Sequence, residues 1–345
     1  TIGKKNINGS TYYFNQEGVM QTGWAFVDGH WNYFASSGAM KTGWIKDQDT
    51  WYYLDKDGIM LTGKQEINST RYYLNASGAM QTGWKWLENN WYYYANSGAM
   101  KTGWIKDNEK WYYLNQDGIM QTGKQEINGT RYYLNTSGAM QTGWQWLDKH
   151  WHYYADSGAM KTGWLKDQGT WYYLEDQEGI MLVGFQQVDG KQYYFSASGA
   201  MQTGWKWFDN HYRYFEANGA MKTGWIKDKG IWYYLNPEDG IMLVGLHKVN
   251  GDHYYFDESG AMQTGWKRID GNWYYFQTDG SLLKNATTPD GYKVNEEGIW
   301  RQAVATVNGE ADQSEKKQEA SSSIAEQPKQ DSNLEANTSD KKEKE

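Results

Sequence analysis

The sequence predicts an all-β chain, a β-solenoid of stacked β-hairpins. Three observations predict it: one unit recurs about every 20 residues, its strands alternate aromatic residues, and glycines are spaced to turn the chain between them. Composition agrees. Of 345 residues 17% are aromatic, with 21 Trp and 29 Tyr, yet the mean hydropathy is −0.91. An ordinary domain buries Leu, Ile and Val in one central core, whereas here the apolar mass is aromatic and is punctuated by 39 Gly. Many short hairpins suit that mixture better than one large core.

The unit is read from Gly23, Trp24, Trp31, Tyr33, Phe34, Gly38 and Met40, which reappear as Gly43, Trp44, Trp51, Tyr53, Leu54, Gly58 and Met60. Fourteen units begin at Gly3, Gly23, Gly43, Gly63, Gly83, Gly103, Gly123, Gly143, Gly163, Gly184, Gly204, Gly224, Gly245 and Gly265. They are numbered 1 to 14 below. Thirteen end in Met, which accounts for all 13 Met of the chain. Extra residues near Glu178 and Pro237 shift the register without breaking it.

Each unit reads as a short strand opened by Gly-Trp, a turn such as Asp28-Gly29, then an aromatic strand such as Trp31 to Phe34. The following Gly, Gly38 in that unit, ends the strand and turns the chain toward the next hairpin. A lone hairpin is marginal in water, so the units must stack. Side chains alternate across a strand, which puts Trp51 and Tyr53 on one face. This second Tyr is kept in all fourteen units, whereas the first is Asn32, His152 and Arg213 in three of them. The second Tyr therefore marks a position that the stack or a ligand requires.

The Trp obey a longer rule. Every third unit replaces the opening Trp, by Lys4, Lys64, Lys124, Phe185 and Leu246, and the second Trp, by Thr11, Arg71, Arg131, Gln192 and His253. The true period is about 60 residues, and an extra aromatic at Phe26, Trp86, Trp146 and Trp207 keeps the same beat. With three units per turn, the Trp-poor units line one side and two columns of Trp pairs remain.

Gly-Trp, a six-residue gap, Trp-Tyr-Tyr-Leu/Phe, Gly, Met and Thr-Gly together resemble the choline-binding repeat of pneumococcal surface proteins, autolysins and phage lysins, over roughly residues 3 to 300. The resemblance implies a left-handed superhelix of hairpins with about three repeats per turn. It also implies choline held between consecutive hairpins by two Trp of one repeat and an aromatic of the next, with a Met nearby. A quaternary ammonium has no N–H to donate, so aromatic faces must recognise it through their quadrupole and through methyl burial.

Carried onto this sequence, the pattern implies eight choline sites, and strand alternation assigns the second Tyr of the next unit to each. They are Trp24, Trp31 with Tyr53; Trp44, Trp51 with Tyr73; Trp84, Trp91 with Tyr113; and Trp104, Trp111 with Tyr133. The others are Trp144, Trp151 with Tyr173; Trp164, Trp171 with Tyr194; Trp205, Tyr212 with Tyr234; and Trp225, Trp232 with Tyr255. Met40, Met60, Met100, Met120, Met160 and Met181 are expected as ligand wall or as filler, since Met suits either. A ninth pair, Trp266 with Trp273, has Lys293 in its Tyr slot.

Other chemistry is discounted. No Cys is present, so disulfides, thiolate metal sites and a Cys nucleophile are excluded. A net charge of −8 argues against nucleic acid, and no apolar run approaches the ~20 residues that span a bilayer. His150 and His152 share one strand without further ligands and read as surface variation. Asp55-Lys56-Asp57-Gly58 lacks the remaining ligands of a calcium loop. No carboxylate pair departs from the repeat to mark one active site, so neither catalysis nor a cofactor is expected.

The repeat domain is expected over residues 1–302, closed by a half-unit from Gly291 to Trp300, with a disordered tail or linker over 303–345. The chain begins at Thr1 without a signal sequence, as in a processed protein or a piece of a larger one. The function implied is a secreted module anchored non-covalently to the bacterial cell surface through choline-bearing teichoic and lipoteichoic acids. Two alternatives stay open. One is a glucan-binding repeat module, as in streptococcal glucosyltransferases and clostridial toxins, although paired Trp with Met favour a cation cage. The other is a structural spacer or adhesin, in which Lys64, Arg71, Lys124 and Arg131 on the Trp-poor face meet a host or bacterial protein.

Overall fold

The structure, a computed structural model, describes residues 1–301. The tail expected from residue 303 lies outside the described residues. Every unit forms one antiparallel two-stranded hairpin of five-residue strands, from Gly3–Ile7 with Ser10–Phe14 to Gly265–Ile269 with Asn272–Phe276. The architecture is all-β among the described residues and built of stacked hairpins, as the repeat predicts.

Two compact bodies divide the chain. The larger holds Thr1–Thr264 with Thr278–Ser281, and the smaller holds Gly265–Gln277 with the described residues from Leu282. In the smaller body the hairpin of unit 14 extends into a five-stranded sheet through Ala286–Thr287, Lys293–Val294 and Ile299–Trp300.

The tips are tight two-residue turns with positive φ at both positions, such as Asp28 (52°) with Gly29 (81°) and Asn108 (45°) with Glu109 (63°). That geometry matches the right-handed twist of the strands, and it explains the Asn, Asp and Gly found there. A second turn closes on an acid or amide. Asp55 Oδ1 accepts from the amides of Asp57 and Ile59, which is the local work of the Asp55-Lys56-Asp57-Gly58 stretch.

Consecutive hairpins are joined by few but repeated contacts. The Met60 amide donates to the Trp31 carbonyl of the unit before it, and Met80 does the same to Trp51, both at 2.8 Å. The Met side chain reaches the other way: a Cβ placed on Gly58 would lie 2.6 Å from Met40 Sδ. Gly58, at φ +73°, thus supplies both the turn and the groove that the preceding Met fills.

In the larger body the core is a narrow row: the residue after the second Tyr is at most 1% exposed in units 2 to 13, from Phe34, Leu54 and Leu74 to Phe256, and in the smaller body Phe276 is equally buried. Each stabilises the stack by about 1.5–3 kcal/mol on burial. Burial also pushes the phenols of Tyr94 and Tyr154, which occupy this slot in units 5 and 8, up to about 12.

Candidate functional site

The register of each hairpin places the opening Trp opposite the second Tyr of its own unit, as Trp44 opposes Tyr53 and Trp104 opposes Tyr113. Their rings meet edge-on, 5.1 Å and 5.2 Å apart. The second Trp shares this face. From Trp44 with Trp51 to Trp225 with Trp232, ring centroids lie 6.1–6.5 Å apart and the planes stand 86–90° to each other.

The ring that closes this corner from the next unit is the first Tyr, not the second. Trp24, Trp44, Trp84 and Trp104 meet Tyr52, Tyr72, Tyr112 and Tyr132 at 4.8–5.0 Å. Trp144, Trp164, Trp205 and Trp225 meet Tyr172, Tyr193, Tyr233 and Tyr254 over the same range. The expected closers Tyr53, Tyr113, Tyr173 and Tyr234 instead face the opening Trp of their own hairpins. Tyr73, Tyr133, Tyr194 and Tyr255 lie opposite Lys64, Lys124, Phe185 and Leu246. Alternation orders residues within a hairpin, but the offset between hairpins comes from the Met amide bonds. A signal for the right Tyr was present: Asn32, His152 and Arg213 all follow units that lack the Trp pair.

The Met beside a Trp pair comes from the following unit. A cleft of about 350 Å³ is lined by Trp104, Trp111, Tyr132, Met140, Asp156 and Ser157, so the Met comes from the unit after the Trp pair. By the repeat, Met60, Met120 and Met181 wall the cages of units 2, 5 and 8, and Met80, Met140 and Met201 those of units 3, 6 and 9. Met40, Met100 and Met160 fall in the Trp-poor units' joints. Met160 lies with Lys124 and Arg131.

In units 3, 5, 6, 8, 9 and 12 the corner offers two perpendicular indoles and a phenol, in unit 11 Tyr212 stands in for the second indole, and at the unit 6 corner Met140 adds a thioether. Burial raises the phenols of Tyr233 and Tyr254 above the ordinary range, which keeps these closing rings neutral. In the smaller body Trp266 meets Tyr292 at 5.8 Å and Trp300 at 6.4 Å, and donates its indole N–H to Asp290 at 2.8 Å. The Thr288 hydroxyl and this indole hold the Asp290 carboxyl below its usual range. Tyr292, not Lys293, meets Trp266 from the following chain, and Trp300 is a further neighbouring ring.

The Trp-poor joints are filled from within. Lys64 Nζ lies 4.3 Å above the ring of Tyr92, the residue in the closing slot, and bonds Glu88 at 2.7 Å and the Tyr92 hydroxyl at 3.2 Å. Burial works against its charge, but these two bonds outweigh burial and raise its pKa. Lys124 pairs with Asp148 at 2.6 Å, and the Arg213 guanidinium sits 5.2 Å over Phe185. Arg71 and Arg131 donate to the carbonyls of Gln116 and Gln177, two units on. The basic column expected to face a protein partner is thus paired within the chain.

His150 is exposed, but His152 is not surface variation: it takes the closing slot beside Lys124 and is 2% exposed. Burial, with smaller contributions from Lys124 and His150, lowers its pKa; Asp148 and the Glu178 backbone oppose this. Above about pH 6.5 the ring is neutral folded or unfolded. As pH falls below that value the unfolded chain takes up the proton first, so stability declines until the folded-state pKa is passed. His152→Asn, which installs the residue that unit 2 carries at Asn32, is expected to flatten the loss of melting temperature between pH 7 and pH 5. An unchanged slope in that variant would exclude His152 as its source.

Stacked hairpins with a cage of aromatic faces at two joints of every three define a repetitive ligand-binding module. A family profile described as "Choline-binding repeat" matches residues 1–42, 21–64, 41–81, 61–103, 101–142, 141–184, 182–221, 202–245 and 243–286. The chain belongs to the choline-binding repeat family. Among solved structures it is similar to choline binding protein F of Streptococcus pneumoniae, determined in the presence of a peptidoglycan analogue. The two are 31% identical over 87% of this chain and 98% of that one, with a TM-score of 0.32. It is also similar to CbpJ of S. pneumoniae TIGR4, at 32% identity over 87% and 100% of the two chains and a TM-score of 0.25. The modular autolysin LytC of S. pneumoniae matches at 26% identity over 64% of this chain and 52% of that one, with a TM-score of 0.44. No curated protein matches the chain. Repeats of this family bind choline, and the modules they form are non-catalytic.

Proposed function

We propose that the eight cages of the larger body, closed by Tyr52, Tyr72, Tyr112, Tyr132, Tyr172, Tyr193, Tyr233 and Tyr254, hold choline of teichoic and lipoteichoic acids. The cluster of Trp266, Tyr292 and Trp300 adds a ninth place. The module thereby keeps its parent protein on the surface of the bacterium, non-covalently, after secretion. One observation carries the reading: a perpendicular indole pair closed by a phenol recurs in units 3, 5, 6, 8, 9 and 12, and at Lys64 the chain's own cation takes the place of the opening ring.

Three rings at about 0.5–2 kcal/mol each give roughly 2–6 kcal/mol, so a single cage holds choline only near the millimolar range. Millimolar choline is expected to change Trp fluorescence and to elute the protein from immobilised choline, whereas glucans do neither. Elution by a glucan with no response to choline would replace this reading with carbohydrate binding.

A further inference from the structure

Unit 1 presents a face that units 2 to 13 cover. Two contacts recur at every joint of the larger body: the Met of one unit fills the groove at the late Gly of the next, and the Met amide of the later unit bonds a carbonyl of the earlier one. The grooves from Gly38 to Gly280 are each occupied by the Met of the preceding unit, which engages all 13 Met of the chain, and Leu282 occupies the groove at Gly298. Gly18 is the exception. It is exposed where Gly38 to Gly280 are buried, and a Cβ placed on it would meet only the Thr1 carbonyl, at 3.6 Å.

The apolar side chains around Gly18 are uncovered as well. Ile7 is 45% exposed, whereas Ile67, Ile127, Val188 and Val249, in the same slot of the other Trp-poor units, are 3–7% exposed. Phe14 is only partly buried, although its slot is closed in units 2 to 13, and Val19 and Met20 are exposed. The Met40 amide bonds the Thr11 carbonyl of unit 1, but no hairpin lies ahead of unit 1 to offer a carbonyl to the Met20 amide. A repeat that ends a stack carries a polar outer face. Unit 1 instead keeps the residues of an interior joint.

We propose that this face is a docking site for one further hairpin of the same repeat, entering directly ahead of Thr1 and ending in a Met that fills the groove at Gly18. Register fixes the junction. Thr1-Ile2-Gly3 aligns with Leu61-Thr62-Gly63, which follows Met60, so the Met slot falls immediately ahead of Thr1. The 60-residue period fixes the type of hairpin. Unit 1 is Trp-poor, as are units 4, 7, 10 and 13, and these follow units 3, 6, 9 and 12, which open Gly-Trp-Ile/Leu-Lys-Asp and end at Met60, Met120, Met181 and Met242. A second copy of this chain is the poorer occupant, because each of its Met already fills a groove of its own stack and none is free for Gly18. The contact needs no ligand in the cages.

The test is hydrogen exchange on the full chain and on a fusion that repeats residues 43–60 directly ahead of Thr1. In the fusion the Met20 amide should gain the carbonyl of the repeated Trp51 and slow by roughly tenfold or more, the factor that follows from covering one aliphatic side chain. Ile7→Asn separates docking from mere lengthening of the chain. Ile7 is exposed in the full chain, so there the change should leave the melting temperature and the Met20 exchange as they are, whereas in the fusion it should cancel most of the slowing. Met60→Ala in the repeated segment alone should act likewise, by emptying the groove at Gly18. A Met20 amide that exchanges as fast in the fusion as in the full chain, or a fusion indifferent to Ile7→Asn, would overturn the proposal. So would a full chain that sediments as a dimer and becomes a monomer with Ile7→Asn, since the face would then belong to a second copy.

Discussion

Replacing Trp51, Trp111, Trp171 and Trp232 by Ala in one chain is expected to abolish retention on choline-bearing walls, while Trp51→Ala alone leaves retention almost unchanged. A cage of millimolar strength contributes little by itself, but sites engaging one polymer raise the total by about 10²–10⁴ through effective concentration. Losing one site of eight removes a small part of that gain, and losing half of them removes most of it. These four indoles are 40–42% exposed, so their truncation opens no buried cavity and the stack should stay folded. Wall-binding assays paired with thermal melts check both halves of the expectation. A single substitution that destroyed binding in a folded chain would falsify the repeated-site account.

How much of this was legible in the sequence depends on which physical rule each feature obeys. The hairpins follow from alternation and turn chemistry, which are local, so Trp31 to Phe34 and the Asp28-Gly29 turn read directly. The Trp pairs and their 60-residue beat follow from the repeat itself. The closing ring did not, because the partner of Trp44 across a joint is set by how far one hairpin slides over the next. That slide is governed by the Met80 amide reaching the Trp51 carbonyl and by Met60 lying over Gly78, contacts with no signature inside one unit. The invariance of the second Tyr reports packing within the hairpin, and the variable first Tyr is the ring that meets the opening Trp across the joint. His152 was misread for a related reason: it fills the closing slot of a joint that has no Trp pair.

Choline is expected to raise the melting temperature steeply and to protect the stack in blocks. A ligand that binds only the folded form adds RT ln(1 + [L]/Kd), about 1.4 kcal/mol per site at ten times Kd, and about 11 kcal/mol over eight sites if the stack melts as one. Stability in a repeat stack is a sum of unit terms and joint terms, and each cage lies across a joint. Choline therefore clamps units 2 to 4, 5 to 7, 8 to 10 and 11 to 13 internally, but does not touch the joints between units 4 and 5, 7 and 8, or 10 and 11. Lys64 with Glu88, Lys124 with Asp148, and Arg213 with Phe185 hold those joints regardless of ligand. Hydrogen exchange separates the two kinds. The Met60, Met80, Met120 and Met140 amides bridge clamped joints and should slow on adding choline, whereas Met100, Met160 and Met221 bridge the others and should change far less. Equal slowing at all seven amides would mean that the whole stack opens as one unit, and no slowing at the first four would mean that choline does not sit at those joints.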